Sequence, residues 1–366
     1  MIPKNLSELV TFVPNKTEPI HNWFYYKEGY SRKLVDWLVD EYELQEPVFD
    51  PFCGVGTTLL ACKQRGIESI GMDVSPLACL ASKVKTRNYD TEQLESQLRE
   101  LEALSPQPIE KIPIDTKVRK LFYHNALETI WFYKEQIESL RDEELRDFFL
   151  LALIDTSGQS ANIEKVGGSL RKKKKPNVPV RELFLRKAKR MILDAQAHPL
   201  PDADAQVIQG DCRFDQLEPE SVGSIITSPP YLNKIEYTRI YGIELALFFG
   251  YQQKGLRAFV GDNPKVQPRA ELAKLPLIAQ AYFSDLDRVL GNCLQALRPK
   301  GRMIINVAGG CLPEGTVNSP QILGKLAQMH GFGLKQDIPC RSIQCVSPHG
   351  RRIGNTSENL LVLQKG

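Results

Sequence analysis

The chain has 366 residues, of which 42% are hydrophobic and 25% are charged, and its 47 Lys+Arg against 44 Asp+Glu give a formal net charge of +3. This composition is that of a folded globular protein and excludes a disordered chain. The near-zero charge excludes a protein that is basic throughout. No run of about 18 apolar residues is present, so the sequence predicts no membrane-spanning helix. The first residues lack a basic stretch followed by an apolar core, which predicts a cytoplasmic protein.

The cysteines are scattered along the chain, at positions 53, 62, 79, 212, 293, 311, 340 and 345. None stands in a C-x-x-C pair or near histidines at a metal-binding spacing. We therefore expect free thiols in a reducing compartment, with neither a disulfide framework nor a zinc or other metal site.

Short apolar runs that end in a polar residue or glycine predict the strands of a buried parallel sheet. The predicted strands cover residues 47–50, 69–73, 206–211, 223–227, 302–307 and 360–363. Between them, apolar residues at three- and four-residue spacing predict helices over 57–65, 76–85, 282–297 and 320–330. Alternating strands and helices indicate an α/β fold with a doubly wound, mostly parallel sheet.

Two stretches interrupt this alternation. Residues 91–200 contain helical patterns over 91–104, 127–153 and 182–196 but almost no strand signal. The stretch is too long for a loop and predicts a helical insertion or subdomain. Residues 232–278 are rich in aromatic side chains around a centre of glycine, asparagine and proline.

A glycine-containing loop, Asp50-Pro-Phe-Cys-Gly-Val-Gly-Thr-Thr58, follows the first predicted strand and opens a helix. Gly54 and Gly56 allow a tight turn and the close approach of a ligand. No lysine precedes the threonines, so the loop is not a triphosphate-binding loop. Asp73 and Asp211 end two further strands, where a carboxylate can accept hydrogen bonds from a ribose. Three acidic residues at strand ends around one glycine loop favour a nucleoside-type cofactor.

A second loop, Thr227-Ser-Pro-Pro-Tyr231, follows the fourth predicted strand. Its two prolines lack amide hydrogens and stiffen the chain. The loop carbonyls and the Ser228 hydroxyl are then acceptors beside a flat aromatic ring. This arrangement suits a planar substrate that carries an amino group.

Together the two loops resemble the F-x-G-x-G and [SDN]-P-P-[YFW] motifs of S-adenosylmethionine-dependent DNA amino-methyltransferases, which act on cytosine N4 or adenine N6. The resemblance implies a Rossmann-like, seven-stranded methyltransferase sheet formed by residues 1–90 and 201–366, with 91–200 as an insertion and candidate DNA-binding subdomain. It implies cofactor contacts from Asp50, Phe52, Cys53, Gly54, Gly56, Thr57, Asp73, Val74, Asp211 and Cys212, and help from residues 21–31 in holding the methionine end. It implies catalytic roles for Ser228, Pro229, Pro230 and Tyr231.

The chemistry expected from this resemblance is methyl transfer to an exocyclic amine of a flipped base in duplex DNA. Hydrogen bonds from the amine to Ser228 and the Pro229 carbonyl would localise its lone pair for in-line attack. No covalent intermediate is required, so Cys53 is expected to be a packing residue. Serine at the head of the loop favours cytosine N4 over adenine N6.

A local excess of positive charge lies between Lys165 and Arg190, which contains eleven basic residues and one acid. Such a run is either a solvated loop or a phosphate-binding surface, and a neighbouring base-modifying site favours the second. The residues predicted to contact DNA are Lys172, Lys173, Lys174, Lys175, Lys234 and Arg239. The segment 234–241 either surrounds the flipped base or packs as an amphipathic helix on the sheet.

Two rival functions are compatible with these motifs. One is an RNA amino-methyltransferase that acts on guanine N2 in tRNA, and the other is a non-catalytic nucleic-acid-binding protein on a methyltransferase scaffold. The intact loop at 228–231 argues against the second. Methyltransferases of this kind occur in restriction-modification systems, so a cognate restriction endonuclease is a candidate partner.

Overall fold

The computed structural model of the chain describes residues 2–26, 29–109, 111–166, 169–232, 237–250, 267–312, 315–346 and 352–366. In chain order its strands are β1 (Val48–Asp50), β2 (Ser69–Asp73), β3 (Ile163–Val166), β4 (Ser169–Lys172), β5 (Ala205–Gln209), β6 (Val222–Thr227), β7 (Leu297–Ala308), β8 (Gly310–Leu312), β9 (Gly315–Val317), β10 (Phe332–Val346) and β11 (Arg352–Lys365).

The helices begin with α1 (Leu6–Leu9) and α2 (Arg32–Tyr42) and continue, in chain order, with α3 (Thr57–Gln64), α4 (Pro76–Thr86), α5 (Thr91–Ala103), α6 (Thr116–Arg119), α7 (His124–Glu138), α8 (Glu143–Ser160), α9 (Val180–Ala197), α10 (Tyr237–Ile240), α11 (Gly242–Phe248), α12 (Leu277–Ala296) and α13 (Ser319–His330). Within the described ranges, no helix has the length and apolar character needed to cross a bilayer.

The central sheet has seven strands in the order β10-β11-β7-β6-β1-β2-β5. Neighbouring strands pair in parallel from β7 to β5, whereas β11 is antiparallel to both β7 and β10. This arrangement confirms the predicted α/β, doubly wound and mostly parallel seven-stranded sheet. The strand order reverses between β6 and β1, and open α/β sheets bind ligands at the carboxyl end of such a switch point.

All six strands predicted from the sequence are present, but β10 and the short hairpins were missed. β10 forms one edge of the sheet, beside β11 alone. Its sequence mixes charged and apolar residues and contains Pro339, which edge strands tolerate because one side of the backbone needs no partner. The apolar-run criterion detects only strands that are buried on both faces.

The insertion is mainly helical, as predicted, with two differences. The single helix expected over 127–153 is two helices, α7 and α8, because the Asp142 side chain caps a new helix by accepting from the Glu144 and Leu145 amides at 2.8 and 3.1 Å. The strands β3 and β4 form an antiparallel pair that the sequence did not predict.

The insertion shares a hydrophobic core with the helices on one face of the sheet. Buried residues of α7, α8 and α9 belong to the same cluster as Leu77 and Val84 of α4. Trp23, before α2, packs edge-on against Phe148 of α8 and donates from Nε1 to Asp194 of α9 at 3.0 Å. The insertion is therefore packed onto the sheet domain through an apolar contact.

Lys85 of α4 lies in this interior with its ammonium group buried. Its Nζ donates to the carbonyl oxygens of His21 and Phe24 at 3.1 and 3.2 Å, and the side chain is 2% exposed. Burial, together with the nearby positive charge of Lys187, lowers the pKa of Lys85 to about 7. The lysine fixes the 21–24 segment beside the sheet.

We expect the free energy of unfolding to rise with pH above 7 because of Lys85. In the unfolded chain the lysine keeps its proton until about pH 10.4, whereas the folded protein loses it near pH 7. The unfolded state then binds the extra proton, so stability increases by up to about 1.4 kcal/mol per pH unit. Urea unfolding of wild type and Lys85→Met at pH 7 and 8.5 measures this, with Lys83→Met on the same helix as the control. Equal pH slopes in wild type and Lys85→Met would contradict it.

The expectation that all cysteines are free is wrong for one pair. Cys311 of β8 and Cys345 of β10 form a disulfide, with their Cα atoms 5.6 Å apart. Although 34 residues separate them, β8, β9 and the end of β10 meet beside β11, which brings the two side chains together. The other cysteines, at 53, 62, 79, 212, 293 and 340, are free.

Candidate functional site

The two loops singled out in the sequence lie side by side at the carboxyl edge of the sheet. β1 leads into the glycine loop and β6 into the Ser-Pro-Pro-Tyr loop, and these strands are neighbours. Thr227, the last residue of β6, donates from Oγ1 to Asp50 Oδ1 at 2.7 Å. One hydrogen bond therefore connects the strand end of the predicted catalytic loop to that of the predicted cofactor loop.

Asp50 is the centre of this connection and is 3% exposed. Besides Thr227, it accepts from the Phe52 amide at 3.1 Å, from Tyr30 Oη at 3.1 Å and from Thr58 Oγ1 at 2.5 Å. A carboxylate has about four acceptor positions, and these bonds occupy them. Burial raises the pKa of Asp50, which the hydrogen bonds oppose. Asp50 thus holds the start of the loop in place.

The glycine loop needs both of its glycines. Gly54 and Gly56 have φ angles of 52° and 76°, in the left-handed region that side chains disfavour. A Cβ on Gly56 would lie 2.6 Å from Ser82 Oγ of α4, and Ser82 in turn donates to the Gly54 carbonyl at 2.9 Å. The close packing of α4 on the loop therefore excludes any larger residue at Gly56.

Asp73, at the end of β2, contacts the same loop. Its Oδ2 accepts from the Gly54 amide at 3.0 Å and its Oδ1 from the Ser75 amide at 2.8 Å. Burial raises the pKa of Asp73 to about 6, although both backbone hydrogen bonds act in the opposite direction. Val74, next in the chain, is half-buried. The sheet thus brings Asp73 to the loop, as the sequence predicted.

Asp211 lies at the end of the neighbouring strand β5 and is held by Arg213. Its carboxylate accepts from the Arg213 amide at 3.0 Å and from the guanidinium Nη2 at 2.6 Å, and Arg213 Nη1 also bonds Asp285 at 2.8 Å. Burial alone would raise the pKa of Asp211, but these Arg213 hydrogen bonds lower it below its usual value. Cys212 is buried beside it, with its carbonyl bonded to Asn292 at 2.9 Å.

The remaining residues of the predicted cofactor site occupy the loop itself. Phe52 is half-buried, whereas Cys53 and Thr57 are 5% and 7% exposed. Burial raises the pKa of the Cys53 thiol well above its usual range, with further contributions from Asp73 and Asp50. A protonated, buried thiol is a poor nucleophile, which agrees with a packing role for Cys53.

The Ser-Pro-Pro-Tyr loop is anchored from two sides. Ser228 Oγ donates to Tyr231 Oη at 3.3 Å, and Tyr231 Oη donates to Glu358 Oε1 of β11. Asn306 Nδ2 of β7 donates to Tyr231 Oη at 3.0 Å and to Glu358 Oε1 at 3.2 Å.

Two more residues complete the surroundings of this loop. Tyr282 Oη of α12 donates to the Pro230 carbonyl at 2.8 Å. Arg341 Nε of β10 donates to Glu358 Oε2, and Glu358 is 1% exposed. The loop is consequently held from the sheet on one side and from α12 on the other.

Several residues of this site were not predicted from the sequence, namely Arg213, Tyr282, Asn306, Arg341 and Glu358. Tyr30 lies in the segment 21–31 that the resemblance indicates. Asn306 stands near the end of a predicted strand, and Arg213 lies two residues after Asp211 at another strand end. Both positions are therefore ones at which the sequence could have indicated a site residue. The sequence contains no such indication for Glu358 or Arg341. The strand predicted at 360–363 begins after Glu358, and β10, which contains Arg341, was not predicted. Long-range antiparallel pairing of β10 with β11 brings them to the site.

The basic segment carries several exposed lysines. Lys172, Lys173 and Lys174 are exposed, while Lys175 is half-buried and donates from Nζ to the Gln159 carbonyl at 3.1 Å. Lys173 pairs with Glu164 at 2.8 Å. Arg239 of α10 is exposed, and Lys234 lies outside the described residues.

A stack of side chains connects the hairpin of β3 and β4 to the glycine loop. Lys165 Nζ pairs with buried Glu244 at 2.8 Å and lies 4.0 Å from the centre of the Tyr241 ring. Tyr241 stacks on Tyr26 with ring centres 4.8 Å apart. A Cβ on Gly54 would lie 3.7 Å from the Tyr26 ring. Lys165 of the hairpin is therefore connected to the glycine loop through Tyr241 and Tyr26.

Several curated proteins resemble the chain in sequence, among them three Type II methyltransferases. The Type II methyltransferase M.BsoBI of Geobacillus stearothermophilus is 31% identical over 331 residues, covering 78% of this chain and 65% of that protein. The Type II methyltransferase M.AvaI of Nostoc sp. is 28% identical over 66% of this chain and 56% of its own length. M.MvaI of Kocuria varians is 23% identical over 96% and 92%. The chain thus spans less than two thirds of the first two relatives.

The solved structures that align with the chain are more distant in sequence. A SAM-dependent methyltransferase of Methanosarcina mazei has 10% identity and a TM-score of 0.32, covering 89% of this chain and 96% of that one. A TehB-like SAM-dependent methyltransferase of Corynebacterium glutamicum has 12% identity and a TM-score of 0.32, covering 90% and 86%. At so low a TM-score the similarity supports no conclusion, and the fold is established by the strand order.

No protein-family model matches the chain. The sequence relatives all share one description, and they confirm the resemblance found in the two loops. The chain is thus similar in sequence to curated Type II methyltransferases.

Proposed function

We propose that this chain is a site-specific DNA methyltransferase that transfers a methyl group from S-adenosylmethionine to the exocyclic N4 amine of a flipped cytosine in duplex DNA. The observation that supports this most strongly is the direct connection of the two loops through Thr227 and Asp50 at 2.7 Å. A methyl donor bound at the glycine loop and an amine held at the Ser228 loop would then meet at one sheet edge. The names of the curated relatives support DNA as the substrate.

The residues at the glycine loop fit a nucleoside-type cofactor such as S-adenosylmethionine. Asp73 offers a carboxylate for ribose hydroxyls, and the positive φ angles of Gly54 and Gly56 let the backbone approach the ligand. Phe52 offers a partly exposed apolar surface. Asp211 is the candidate for the adenine side, oriented by Arg213. Because Asp50 is saturated by internal bonds, we assign it an anchoring role rather than direct contact.

When bound, S-adenosylmethionine supplies an electrophilic methyl group on a sulfonium. Ser228 and the Pro229 carbonyl accept hydrogen bonds from the amine of the target base, which favours a localised lone pair on its nitrogen. The Pro230 carbonyl already accepts from Tyr282, so the loop keeps its shape while the base is bound. Positioning and fixed dipoles then provide the catalysis, without a covalent intermediate.

The preferred target is cytosine N4, since serine heads the loop, and adenine N6 is the alternative outcome. Flipping either base out of the duplex costs on the order of a few kcal/mol, which contacts to the DNA backbone must offset. The division into a catalytic domain (1–90 and 201–366) and a DNA-binding insertion (91–200) remains part of the proposal. So do a cytoplasmic location and a cognate restriction endonuclease.

The exposed lysines support a phosphate-binding surface because they continue a hairpin whose Lys165 is connected to the glycine loop through Tyr241 and Tyr26. We expect affinity for duplex DNA to fall steeply with salt. The logarithm of the association constant should fall linearly with the logarithm of the salt concentration. Replacement of Lys172–Lys175 by Gln should make this slope less steep by about 0.9 for each DNA phosphate that a lysine no longer neutralises. Fluorescence anisotropy between 50 and 300 mM salt measures both slopes.

The matched control replaces four exposed lysines elsewhere by Gln, namely Lys4, Lys274, Lys325 and Lys335. This variant should keep the wild-type slope, because those residues are outside the proposed surface. A wild-type slope in the Lys172–Lys175 variant, or an equal decrease in both variants, would reject the surface.

A tritiated-methyl assay distinguishes the proposed function from its rivals. The full chain is incubated with labelled S-adenosylmethionine and, separately, duplex DNA, tRNA and an unrelated protein. Label in duplex DNA supports the proposal. Label in tRNA alone indicates the RNA enzyme, and no label in any substrate, together with DNA binding, indicates a non-catalytic binding protein.

A further inference from the structure

The carboxylate of Glu358 stands at the end of a hydrogen-bond chain that begins at Ser228. Ser228 Oγ lies 3.3 Å from Tyr231 Oη, and Tyr231 Oη bonds Glu358 Oε1. Arg341 Nε donates to the other carboxylate oxygen. Glu358 is 127 residues from Tyr231 in sequence, and the sheet brings it to the loop by pairing it with Ala308 at the end of β7.

The direction of this chain follows from the hydrogens that each group possesses. A carboxylate accepts hydrogen bonds, and both oxygens of Glu358 accept here, Oε1 from Tyr231 and Asn306 and Oε2 from Arg341. The Asn306 amide directs its NH₂ group to both Tyr231 Oη and Glu358 Oε1, at 3.0 and 3.2 Å. Tyr231 has a single hydroxyl hydrogen, which therefore goes to Glu358. Its lone pairs face Asn306 and Ser228.

The Ser228 hydroxyl is oriented by Tyr231 in the same way. Because Tyr231 Oη presents a lone pair, the Ser228 hydrogen is directed to Tyr231 and away from the substrate. Ser228 Oγ then offers its own lone pairs to a bound group. An amine is a donor and needs an acceptor at this position, whereas a serine hydrogen pointing at the amine nitrogen would compete for the lone pair that must attack.

We propose that Glu358 is a positioning residue that sets the direction of the Ser228–Tyr231–Glu358 chain, so that Ser228 acts as an acceptor for the target amine. This inference rests on the proposed function, since it assigns the chain a purpose in amine methylation. Arg341 contributes by donating to the second carboxylate oxygen of Glu358, and Asn306 contributes by donating to Tyr231 Oη.

Glu358→Gln is the most informative change, because an amide cannot satisfy the site. If its NH₂ group faces Arg341 Nε, two donors meet, and if it faces Asn306 Nδ2, two donors meet there instead. We expect kcat to fall about 10- to 100-fold, the loss typical of one hydrogen bond to a charged group. KM for DNA and the Kd for S-adenosylhomocysteine should stay within about twofold of wild type, since neither ligand is bound by Glu358.

A double-mutant cycle separates direction-setting from simple structural support. Tyr231→Phe removes the middle of the chain, so adding Glu358→Gln to it should cause no further loss of kcat. Asp337→Asn is the control, because Asp337 bonds Asn359 within the same strand pair and does not contact the loop. The inference would be overturned if the losses of kcat in Glu358→Gln and Tyr231→Phe multiplied in the double variant. A wild-type kcat in Glu358→Gln alone would also overturn it.

A spectroscopic readout tests the hydrogen bond without turnover. In protein labelled with ¹³Cζ-tyrosine, the Tyr231 resonance, assigned with Tyr231→Phe, should shift in Glu358→Gln and stay in place in Asp337→Asn. An unmoved resonance in Glu358→Gln would overturn the inference. If Glu358→Gln does not fold, Arg341→Gln replaces it, because Arg341 is partly exposed, and the same shift and a lower kcat are expected.

The failure of this inference is distinguishable from failure of the proposed function. A wild-type protein that methylates no amine in DNA contradicts the proposed function, whatever the variants do. A wild-type protein that methylates DNA while Glu358→Gln turns over equally fast contradicts only the role of Glu358.

Discussion

Replacing Ser228 by Ala is expected to lower kcat for DNA methylation by about 100-fold, in the range found when one preorganised polar group is removed from an active site. Ser228 Oγ is the side-chain acceptor that the loop presents, and its hydrogen is engaged by Tyr231 at 3.3 Å. Alanine leaves the Pro-Pro backbone intact but removes that acceptor. Because the glycine loop does not use Ser228, the Kd for S-adenosylhomocysteine should remain within about twofold of wild type.

Single-turnover methyl transfer and isothermal titration calorimetry measure the two quantities separately. Ser221→Ala is the control, since Ser221 precedes β6 at the opposite edge of the sheet and its hydroxyl bonds the Glu218 carbonyl. Wild-type turnover in Ser228→Ala, or an equal loss in Ser221→Ala, would remove Ser228 from the catalytic site.

Replacing Asp73 by Asn is expected to weaken cofactor binding by about 10- to 100-fold, as the removal of a charged hydrogen-bonding partner does. Asp73 accepts from the Gly54 and Ser75 amides and is the proposed acceptor for the ribose. An asparagine NH₂ group would face one of these amide donors, so the loop loses support as well as its interaction with the ligand.

The pH dependence of binding should identify Asp73 as the source of this effect. Burial raises the pKa of Asp73 to about 6, so between pH 7 and pH 5 the carboxylate gains a proton and loses an acceptor. Wild-type affinity for S-adenosylhomocysteine should therefore decrease as the pH falls through 6, whereas that of Asp73→Asn should stay level. Asp204→Asn, which changes an exposed acid at the other edge of the sheet, should behave as wild type. A level profile in wild type would contradict the role of Asp73.

The fold was largely predictable because its central strands are buried on both faces. β1, β2 and β6 are short apolar runs that end where the chemistry begins, and such runs are recognisable without knowledge of their partners. β10 was not predictable in this way, because an edge strand is specified by its pairing with β11 and not by its own hydrophobicity. The break between α7 and α8 depended on the cap at Asp142, a local signal weaker than the apolar periodicity on either side.

The candidate site was predictable only where it is local in sequence. The glycine loop and the Ser-Pro-Pro-Tyr loop each have a recognisable spacing, so Gly54, Asp73 and Ser228 were identified. The groups that orient them come from distant strands, as Glu358 does for Tyr231. Arg213 was overlooked although it governs the charge of the neighbouring strand-end acid. Partners of this kind become visible only when the sheet order is known.

Mass spectrometry of nucleosides from methylated DNA tests the central claim most directly. Duplex DNA that contains many sequences is incubated with the full chain and CD₃-labelled S-adenosylmethionine, then digested to nucleosides. The proposal predicts trideuteromethyl on the exocyclic nitrogen, as N4-methylcytosine, or as N6-methyladenine for the alternative base. Label on the ring carbon of cytosine, or no label in DNA that the protein binds, would contradict amine methylation by the Ser228 loop.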